Sequence, residues 1–402
     1  MITAANGSES GQTTNVLILT SCLYPPNLLR QRLAFKMMDR ITQLVREEPD
    51  NSIKYTLLVA GDSIYADASA GLMDPTEPLE RFELAYRRLR ATPSWQQMSL
   101  VIHNRLHTID DHEIIDNWEP SCKEIPDEAD ESSNPELMEQ AKYHFLNFIS
   151  PGAVDPHENK AVSKKLWGRR HIKGLNIFLL DTRTEREPRS AETTATAKMI
   201  SEEQKSDVLT WLDDLHQKDV DLPGQIPVPK FIMSGSMLLP RRVSAAHVDN
   251  QECSALAYDS WDGYPNTRNT VLAHIAAKGI HNVIFLSGDE HLPSTTTIKL
   301  TNSDGTSTTA YSLHGSPLNA PFPFANSAPW AFLKQDQYTF ATADNTDKYT
   351  AEVNTQFPSV GNGFLRIEVA SERPSKILVE FVGDQDSESA DLILSRELAQ
   401  LA

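Results

Sequence analysis

Four short apolar segments, each ending at polar residues, constrain the fold of this chain most strongly. They span residues 16–20, 55–60, 176–180 and 282–287, and they lead into Ser21-Cys22, Gly61-Asp62, Asp181-Thr-Arg183 and Gly288-Asp-Glu-His291. Continuous apolar runs of this length predict strands that are buried on both faces of a sheet. Such strands are typical of parallel sheets, whose faces are covered by helices.

Helical patterns lie between these segments. The spacing of apolar residues predicts one helix over residues 28–48, and another over 267–277 that ends at Gly279. A third helix is expected to begin after Ser201, a residue type that caps helix N-termini well. Strands that alternate with helices in this way indicate an α/β fold.

The C-terminal part of the sequence has a different pattern. From Thr295 onward it is rich in threonine and alternates between apolar and polar residues, with a turn at Asp304-Gly305, which predicts antiparallel strands. We expect residues 1–14, which are polar, to form a disordered tail. Residues 15–402 are then expected to form a single domain with antiparallel strands at its C-terminal end.

The charge balance excludes one class of partner. Lys and Arg number 37 against 55 Asp and Glu, which gives a formal net charge of −18. A surface this acidic repels polyanions, so we expect no electrostatic capture of nucleic acid. A small anionic substrate is still compatible with this charge, because metal ions can reverse the local field inside a pocket.

The N-terminal sequence carries no Lys or Arg, and the apolar run at residues 16–19 is too short for a signal or membrane segment. We therefore expect no membrane span and a cytoplasmic location. A mature exported form whose leader had been removed would have the same sequence, and that alternative stays open.

Chemically active residues gather where the predicted strands end. In open α/β sheets, binding sites form beyond the carboxyl ends of the strands. Those ends hold a thiol, several carboxylates and a histidine: Cys22, Asp62, Asp111, Asp181, Asp289 and His291. Adjacent carboxylates such as those in Asp110-Asp111-His112 are costly to hold together unless a cation neutralises them, so this pattern predicts a metal site. A Gly-Asp turn or a lone cysteine, taken alone, is more often structural.

The sequence contains no Gly-x-Ser-x-Gly, Walker or Gly-x-Gly-x-x-Gly motif, which disfavours serine hydrolases and nucleotide-binding enzymes. It resembles instead the alkaline phosphatase D-like (PhoD-like) family, a branch of the calcineurin-like metallophosphoesterases. The resemblance rests on motifs that occur in the family's order: Ser21-Cys22, Gly61-Asp-Ser-Ile-Tyr-Ala-Asp67, Asp110-Asp-His-Glu-Ile-Ile-Asp-Asn117, Leu180-Asp-Thr-Arg183, Gln204 through Leu212, Asp259-Ser-Trp-Asp-Gly-Tyr264 and Leu286-Ser-Gly-Asp-Glu-His291.

This resemblance implies a four-layer α/β/β/α sandwich with Fe3+ and Ca2+, or with Mn2+, Zn2+ or Mg2+ at the second metal position. Cys22 and Tyr65 stand where the family has its thiolate and phenolate iron ligands. By the same resemblance, Asp62 would bridge the metals and Asp111 would bind the second one. The remaining iron ligands would be Asp289 and His291.

His112 is placed to protonate the leaving alkoxide or to stabilise phosphoryl charge, and Asn117 to bind the second metal or a phosphate oxygen. Residues 231–240 contain no histidine where other members of the superfamily have histidines, so we expect the second metal to be loosely held.

The resulting hypothesis is a phosphomonoesterase or phosphodiesterase that hydrolyses small phosphate esters with a metal-activated hydroxide and no covalent enzyme intermediate. Two alternatives stay open: a hydrolase of another ester, lactone or amide on the same scaffold, and a metal-binding sensor without catalytic activity. The sequence favours neither monoesters nor diesters and does not determine the oligomeric state.

Overall fold

The computed structural model describes residues 14–24, 35–50, 52–67, 79–120, 135–149, 165–246, 258–320, 327–342, 345–358, 361–383 and 387–393. The tail predicted over residues 1–14 lies outside these ranges apart from Thr14. In the described residues, no helix is both long and apolar enough to cross a lipid bilayer.

Strands make up much of the described chain. In chain order they are β1 (Asn15–Leu23), β2 (Lys54–Ala60), β3 (Asn104–Thr108), β4 (Gly168–Ile172), β5 (Leu175–Leu179), β6 (Lys230–Met233), β7 (Val283–Ser287), β8 (Ser294–Thr301), β9 (Ser307–His314), β10 (Ser316–Asn319), β11 (Gln335–Thr342), β12 (Asn345–Gln356), β13 (Gly363–Val369), β14 (Lys376–Gly383) and β15 (Ser387–Ile393). The helices are α1 (Lys36–Glu47), α2 (Leu84–Ala91), α3 (Pro93–Val101), α4 (Pro135–Ile149), α5 (Glu202–Val220), α6 (Val243–Ala246) and α7 (Pro265–Lys278).

The strands form two sheets. In the first, the order is β15-β14-β13-β1-β2-β3, and β10 also pairs with β1. In the second, the order is β11-β12-β8-β9-β7-β6-β5-β4. The fold is therefore mixed α/β, with helices and two multi-stranded sheets. Strands β1, β2 and β3 are parallel to one another, as are β5, β6 and β7, so the polar residues at their carboxyl ends lie at common sheet edges.

Apolar residues on opposite faces of the same strand enter different clusters, as the alternation of side chains along a strand requires. In β1, Leu17 and Leu19 belong to the same apolar cluster as residues of the second sheet such as Phe231 and Ile284. The intervening Val16 and Ile18 belong to a cluster that includes residues of α1, α3 and α4. A third cluster joins the second sheet to α5 and α7. Both sheets are thus covered by apolar contacts on each face near their parallel strands.

The predicted elements are largely confirmed. Strands β1, β2, β5 and β7 cover the four apolar segments to within a few residues, and the tail forms antiparallel pairs. Helix α5 begins after Ser201, whose side chain accepts a hydrogen bond from the Gln204 N–H. Helix α7 ends at Gly279, which has a φ of 63°. The helix predicted over 28–48 appears as α1, and most of its expected first turns lie outside the described residues.

Candidate metal centre

Residues that follow parallel strands of both sheets converge on one site. Cys22 is the penultimate residue of β1, Asp62 follows β2, and Asp111 follows β3, while His291 comes from the segment after β7. One side-chain atom each from Cys22, Asp62 and His291 lies within 4.8 Å of the other two. The same is true of Asp62, Asp111 and His112. Two groups of possible metal ligands therefore share the carboxylate of Asp62.

The backbone at the site is unusual. Five of the eight residues predicted for the site have positive φ angles: Cys22 (56°), Asp62 (55°), Asn117 (56°), Asp289 (86°) and His291 (54°). For residues other than glycine, this conformation costs roughly 1–3 kcal/mol, and such residues cluster at functional sites. The neighbouring Gly61 has a φ of 84°, and a Cβ there would lie 2.5 Å from Asp110 Cβ. The loops that carry the predicted metal ligands therefore turn sharply at the site.

Direct contacts connect the first group to Tyr65. The Cys22 thiol donates to Asp62 Oδ2 at 3.2 Å, and it lies 3.8 Å from the Asp289 carbonyl oxygen. The Tyr65 hydroxyl lies 3.1 Å from His291 Nε2. All five side chains are buried or nearly so. The structure therefore brings together Cys22, Asp62, Tyr65 and His291. Asp289 approaches Cys22 through its backbone carbonyl, whereas its carboxylate lies in a separate group with Asp110 and Asp111.

Asn117 reaches the site through its backbone. Its N–H donates to Asp111 Oδ2 at 2.8 Å, which orients that carboxylate. The other oxygen, Asp111 Oδ1, is buried and makes no hydrogen bond to any residue that the structure describes, and Asp62 Oδ1 is in the same situation. Buried carboxylate oxygens are rarely left without a partner, so these two atoms are suited to bind a cation.

Four acids of the site resist ionisation in the absence of a cation, whereas Arg183 and His112 outweigh the effect of burial and lower the pKa of Asp111. Burial raises the pKa of Cys22 to about 12. Burial, reinforced by neighbouring anions, also raises the pKa values of Asp62, Tyr65 and Asp289 well above their usual ranges. A metal ion would reverse these shifts, because it favours the thiolate, phenolate and carboxylate forms that bind it. The donor set therefore fits one or more metal cations.

His112 is held by a residue whose role the sequence did not reveal. Its Nδ1 lies 2.8 Å from Asp67 Oδ2, and its ring packs against that of Tyr65 with centroids 4.0 Å apart. Burial lowers the pKa of His112, but Asp111 and Asp67 outweigh that effect and raise it well above its usual value. Asp67 thus positions the ring and favours the protonated imidazolium, leaving Nε2 for another partner.

Glu113 was also missed as a functional residue, because its side chain binds backbone rather than the predicted ligands. It accepts hydrogen bonds from the N–H groups of Asp62 (3.0 Å), Asp110 (2.8 Å) and Ser63. A single buried carboxylate therefore joins the loop after β2 to the loop after β3. It fixes the separation of Asp62 and Asp111.

We expect Glu113→Gln to destabilise the metal-free protein by about 1–3 kcal/mol, because a buried amide NH2 would face backbone N–H groups that lose their acceptor. We also expect metal affinity to fall roughly 10–100-fold. Urea unfolding and elemental analysis would measure the two effects. Glu203→Gln on the exposed face of α5 serves as control and should change stability by less than about 0.5 kcal/mol. Equal behaviour of the two variants would contradict this role for Glu113.

Asp181 and residues 231–240 lie beside the site without joining either ligand group. The Asp181 carboxylate accepts hydrogen bonds from the backbone N–H groups of Arg183 (3.1 Å) and Thr184 (2.8 Å), so it shapes its own turn. In the segment after β6, a Cβ at Gly235 would lie 2.5 Å from Asp110 Cγ. That segment packs against Asp110.

A cation that the sequence analysis had not assigned lies beside these ligands. Arg183 is fully buried, and its Nε donates to Asp110 Oδ1. Its Nη1 lies 2.5 Å from Asp259 Oδ2. Arg183 and Asp259 both occur in the sequence motifs quoted above. An arginine at the end of a buried apolar run was the available signal.

Comparison with known proteins identifies the family and the fold. The sequence model for the PhoD-like phosphatase matches residues 20–376, which include every residue predicted for the site. A solved structure of PhoD is similar to this chain with a TM-score of 0.59 at 15% sequence identity, over 96% of this chain and 70% of that one, and so shows the same fold. No curated protein sequence matches the chain. On the family match, this chain belongs to the PhoD-like phosphatase family.

Proposed function

We propose that this protein is a metal-dependent phosphoesterase that hydrolyses small phosphate esters. The observation that carries the proposal is the pair of ligand groups that share Asp62, with the imidazolium of His112 in one of them. Two adjacent cation sites beside a proton donor are what in-line hydrolysis of a phosphate ester requires. Membership of a phosphatase family supports the same reading.

We assign a ferric ion, Fe3+, to the group that contains a thiol and a phenol. Its ligands would be Cys22, Asp62, Tyr65 and His291, because thiolate and phenolate are strong anionic donors suited to a trivalent ion. Asp289, whose carbonyl oxygen lies 3.8 Å from the Cys22 sulfur, would complete the set.

The second group is rich in oxygen and would hold Ca2+, or Mn2+, Zn2+ or Mg2+. Its ligands would be Asp111 and the shared Asp62, with Asn117 next to Asp111. When bound, the ions would supply positive charge that lowers the pKa of a water molecule and neutralises the phosphoryl oxygens.

The protein's own residues contribute proton transfer and orientation. Asp67 holds Nδ1 of His112, so the proton on Nε2 is the one available to the leaving-group oxygen. Asp67 also raises the pKa of the ring and so favours the protonated form that a general acid requires. Glu113 fixes the separation of Asp62 and Asp111, because its carboxylate accepts hydrogen bonds from backbone N–H groups of both loops.

We further propose that the two sheets and their helices form a four-layer α/β/β/α sandwich. The three apolar clusters support this arrangement: one joins the sheets to each other, and the other two join each sheet to helices. The site would then lie at the edge where the carboxyl ends of both sets of parallel strands meet.

Elemental analysis of the purified protein, combined with hydrolysis of p-nitrophenyl phosphate and its bis-ester with and without Ca2+, tests the function. We expect about one iron per chain and cleavage that Ca2+ increases. The preferred ester separates a monoesterase from a diesterase. Bound metal without cleavage of either ester would refute the proposed reaction, and lactones and amides would then be assayed. A protein that takes up no metal on reconstitution would refute the metal centre.

We expect Asp67→Asn to lower kcat roughly 10–100-fold while metal content stays unchanged. The amide can still contact His112 Nδ1, but it no longer carries the charge that favours the imidazolium. Elemental analysis and initial rates would measure both quantities. Asp116→Asn is the control, because its exposed carboxylate lies 3.8 Å from Nε2, and its effect should be much smaller.

The same substitution in a His112→Ala background distinguishes positioning from a general loss of structure. If Asp67 acts through His112, adding Asp67→Asn to His112→Ala should cost little further rate. A loss as large as in the wild-type background would show that Asp67 acts by another route.

A further inference from the structure

Three aromatic rings are in contact beside the candidate metal centre. The rings of Tyr65 and His112 have centroids 4.0 Å apart, and the ring of Tyr24 lies edge-on to that of Tyr65 with centroids 4.9 Å apart. Tyr65 is buried and contacts both neighbours, whereas Tyr24 is only half-buried. Tyr24 therefore keeps surface that a further molecule can contact.

Tyr24 lies on the side of the site where the leaving group would depart. Only the Tyr65 ring separates it from His112, the proposed donor of a proton to the leaving-group oxygen. Burial raises the pKa of the Tyr24 phenol, and the nearby charge of Asp67, which holds His112, raises it further. Tyr24 is thus a neighbour of the Asp67–His112 pair.

The backbone of Tyr24 is fixed by the last residue of β10. The Tyr24 N–H donates to the Asn319 carbonyl at 3.2 Å, and Asn319 Nδ2 donates to the Tyr24 carbonyl at 2.7 Å. The next residue, Ala320, donates its N–H to Asn362 Oδ1 at 2.9 Å. A ligand would therefore meet a rigid side chain on a fixed backbone, which lowers the entropy cost of binding.

The surroundings of Tyr24 favour an aromatic ligand. Aromatic rings prefer edge-to-face and offset-stacked neighbours, and Tyr24 and Tyr65 already adopt the first arrangement. A second anionic group on the substrate is disfavoured, because Asp67 lies nearby and the chain has a formal net charge of −18. A cationic group would find the Asp67 carboxylate already engaged by His112. An uncharged, planar ring avoids both conflicts.

We propose that Tyr24 forms a leaving-group subsite that binds an uncharged aromatic ring of the substrate. The inference rests on the proposed function, because it takes the phosphate ester to lie at the metal centre with His112 as general acid. It adds a substrate class. Phosphate esters whose leaving alcohol carries an aromatic ring are bound through Tyr24, and esters of saturated alcohols of the same size lack this contact.

Two unreactive substrate analogues test the subsite by binding alone. In 2-phenylethylphosphonate a methylene group replaces the ester oxygen of benzyl phosphate, and 2-cyclohexylethylphosphonate differs only in its saturated ring. Calorimetry with the purified, metal-loaded protein would give both dissociation constants. We expect Tyr24→Leu to weaken binding of the phenyl compound relative to the cyclohexyl compound roughly 3–10-fold, the usual contribution of an aromatic pair. Tyr24→Phe, which keeps the ring, should leave this ratio unchanged.

Tyr55→Leu is the matched control. Tyr55 lies near the amino end of β2, whereas the candidate ligands follow the carboxyl ends of the strands, so its replacement should not change the ratio. Trp330 is the rival contact, because it is 83% exposed and Ser327, three residues earlier, donates to Glu290 Oε2 at 2.6 Å. A ratio that changes in Trp330→Leu and not in Tyr24→Leu would overturn the assignment to Tyr24.

Metal content is measured in every variant, because Tyr24 packs against Tyr65. If Tyr24→Leu holds less metal than the wild type, Tyr24→Trp is used in its place. Its larger ring should shift the ratio further toward the phenyl compound, and an unchanged ratio would overturn the proposal.

Hydrolysis assays separate this subsite from the proposed function. A wild type that binds the phenyl compound with the Tyr24-dependent preference but cleaves no phosphate ester would refute the phosphoesterase assignment and leave the subsite supported. A wild type that cleaves benzyl and cyclohexylmethyl phosphate, with the same binding ratio in Tyr24→Leu, would refute the subsite and leave the phosphoesterase assignment supported.

Discussion

Replacing Cys22 with alanine is expected to abolish iron binding and to lower phosphate ester hydrolysis by at least about 10³-fold, since a catalytic metal contributes several kcal/mol to the transition state. The thiol is fully buried and lies 3.2 Å from Asp62 Oδ2. Because burial raises its pKa to about 12, it would ionise only with a cation beside it, and the alanine variant has no donor to replace it. Elemental analysis and p-nitrophenyl phosphate hydrolysis would measure the two losses.

Leu23→Ala is the matched control for this experiment. Leu23 is the next residue of β1 and packs in an apolar cluster, so its truncation should destabilise the fold by about 2–5 kcal/mol and leave the iron content intact. Cys22→Ala should show the opposite pattern, with iron lost and the fold retained. If Cys22→Ala kept full iron and full rate, the assignment of the iron ligands would be wrong at its most distinctive residue.

The parts of the fold that could be predicted are those that depend on short, local sequence patterns. The apolar segments before Cys22 and Asp62 are strands, and the ends of both strands meet, because parallel strands place their carboxyl ends on one edge. The N-cap at Ser201 and the helix end at Gly279 were also predictable, since each depends on the local conformation of one residue. Strand β6 escaped prediction because it has only four residues and begins with a charged side chain, Lys230.

The roles of Arg183, Glu113 and Asp67 could not be read in the same way, because each depends on residues distant in sequence. Arg183 follows β5 of the second sheet and contacts Asp110, which lies 73 residues earlier and follows β3 of the first sheet. Glu113 binds the backbone of the loop that follows β2, 50 residues away. Sequence patterns identified these residues as parts of motifs. Their contact partners are determined by the packing of the two sheets, which the sequence patterns do not reveal.

Replacing Asp62 with asparagine is expected to remove both metal ions and to lower hydrolysis by roughly 10⁴-fold, because the two ligand groups share this carboxylate. The fold should survive. Burial and the neighbouring Cys22 raise the pKa of Asp62 well above its usual range, so the metal-free protein holds it neutral and an amide replaces it at little cost. We expect the free energy of unfolding of the metal-free variant to lie within about 1 kcal/mol of that of the wild type.

Asp219→Asn gives the opposite result if this reasoning is correct. Asp219 is also a buried aspartate, but its carboxylate forms ion pairs with Lys230 Nζ (2.6 Å) and Arg373 Nη1 (2.8 Å), at the end of β6 that lies away from the ligands. Its neutralisation leaves two cations uncompensated and should destabilise the fold by about 3–5 kcal/mol, with metal content unchanged. Urea unfolding and elemental analysis of both variants thus separate a carboxylate that binds metal from one that stabilises the fold. An Asp62→Asn protein that keeps one ion would show that the two groups do not share this ligand.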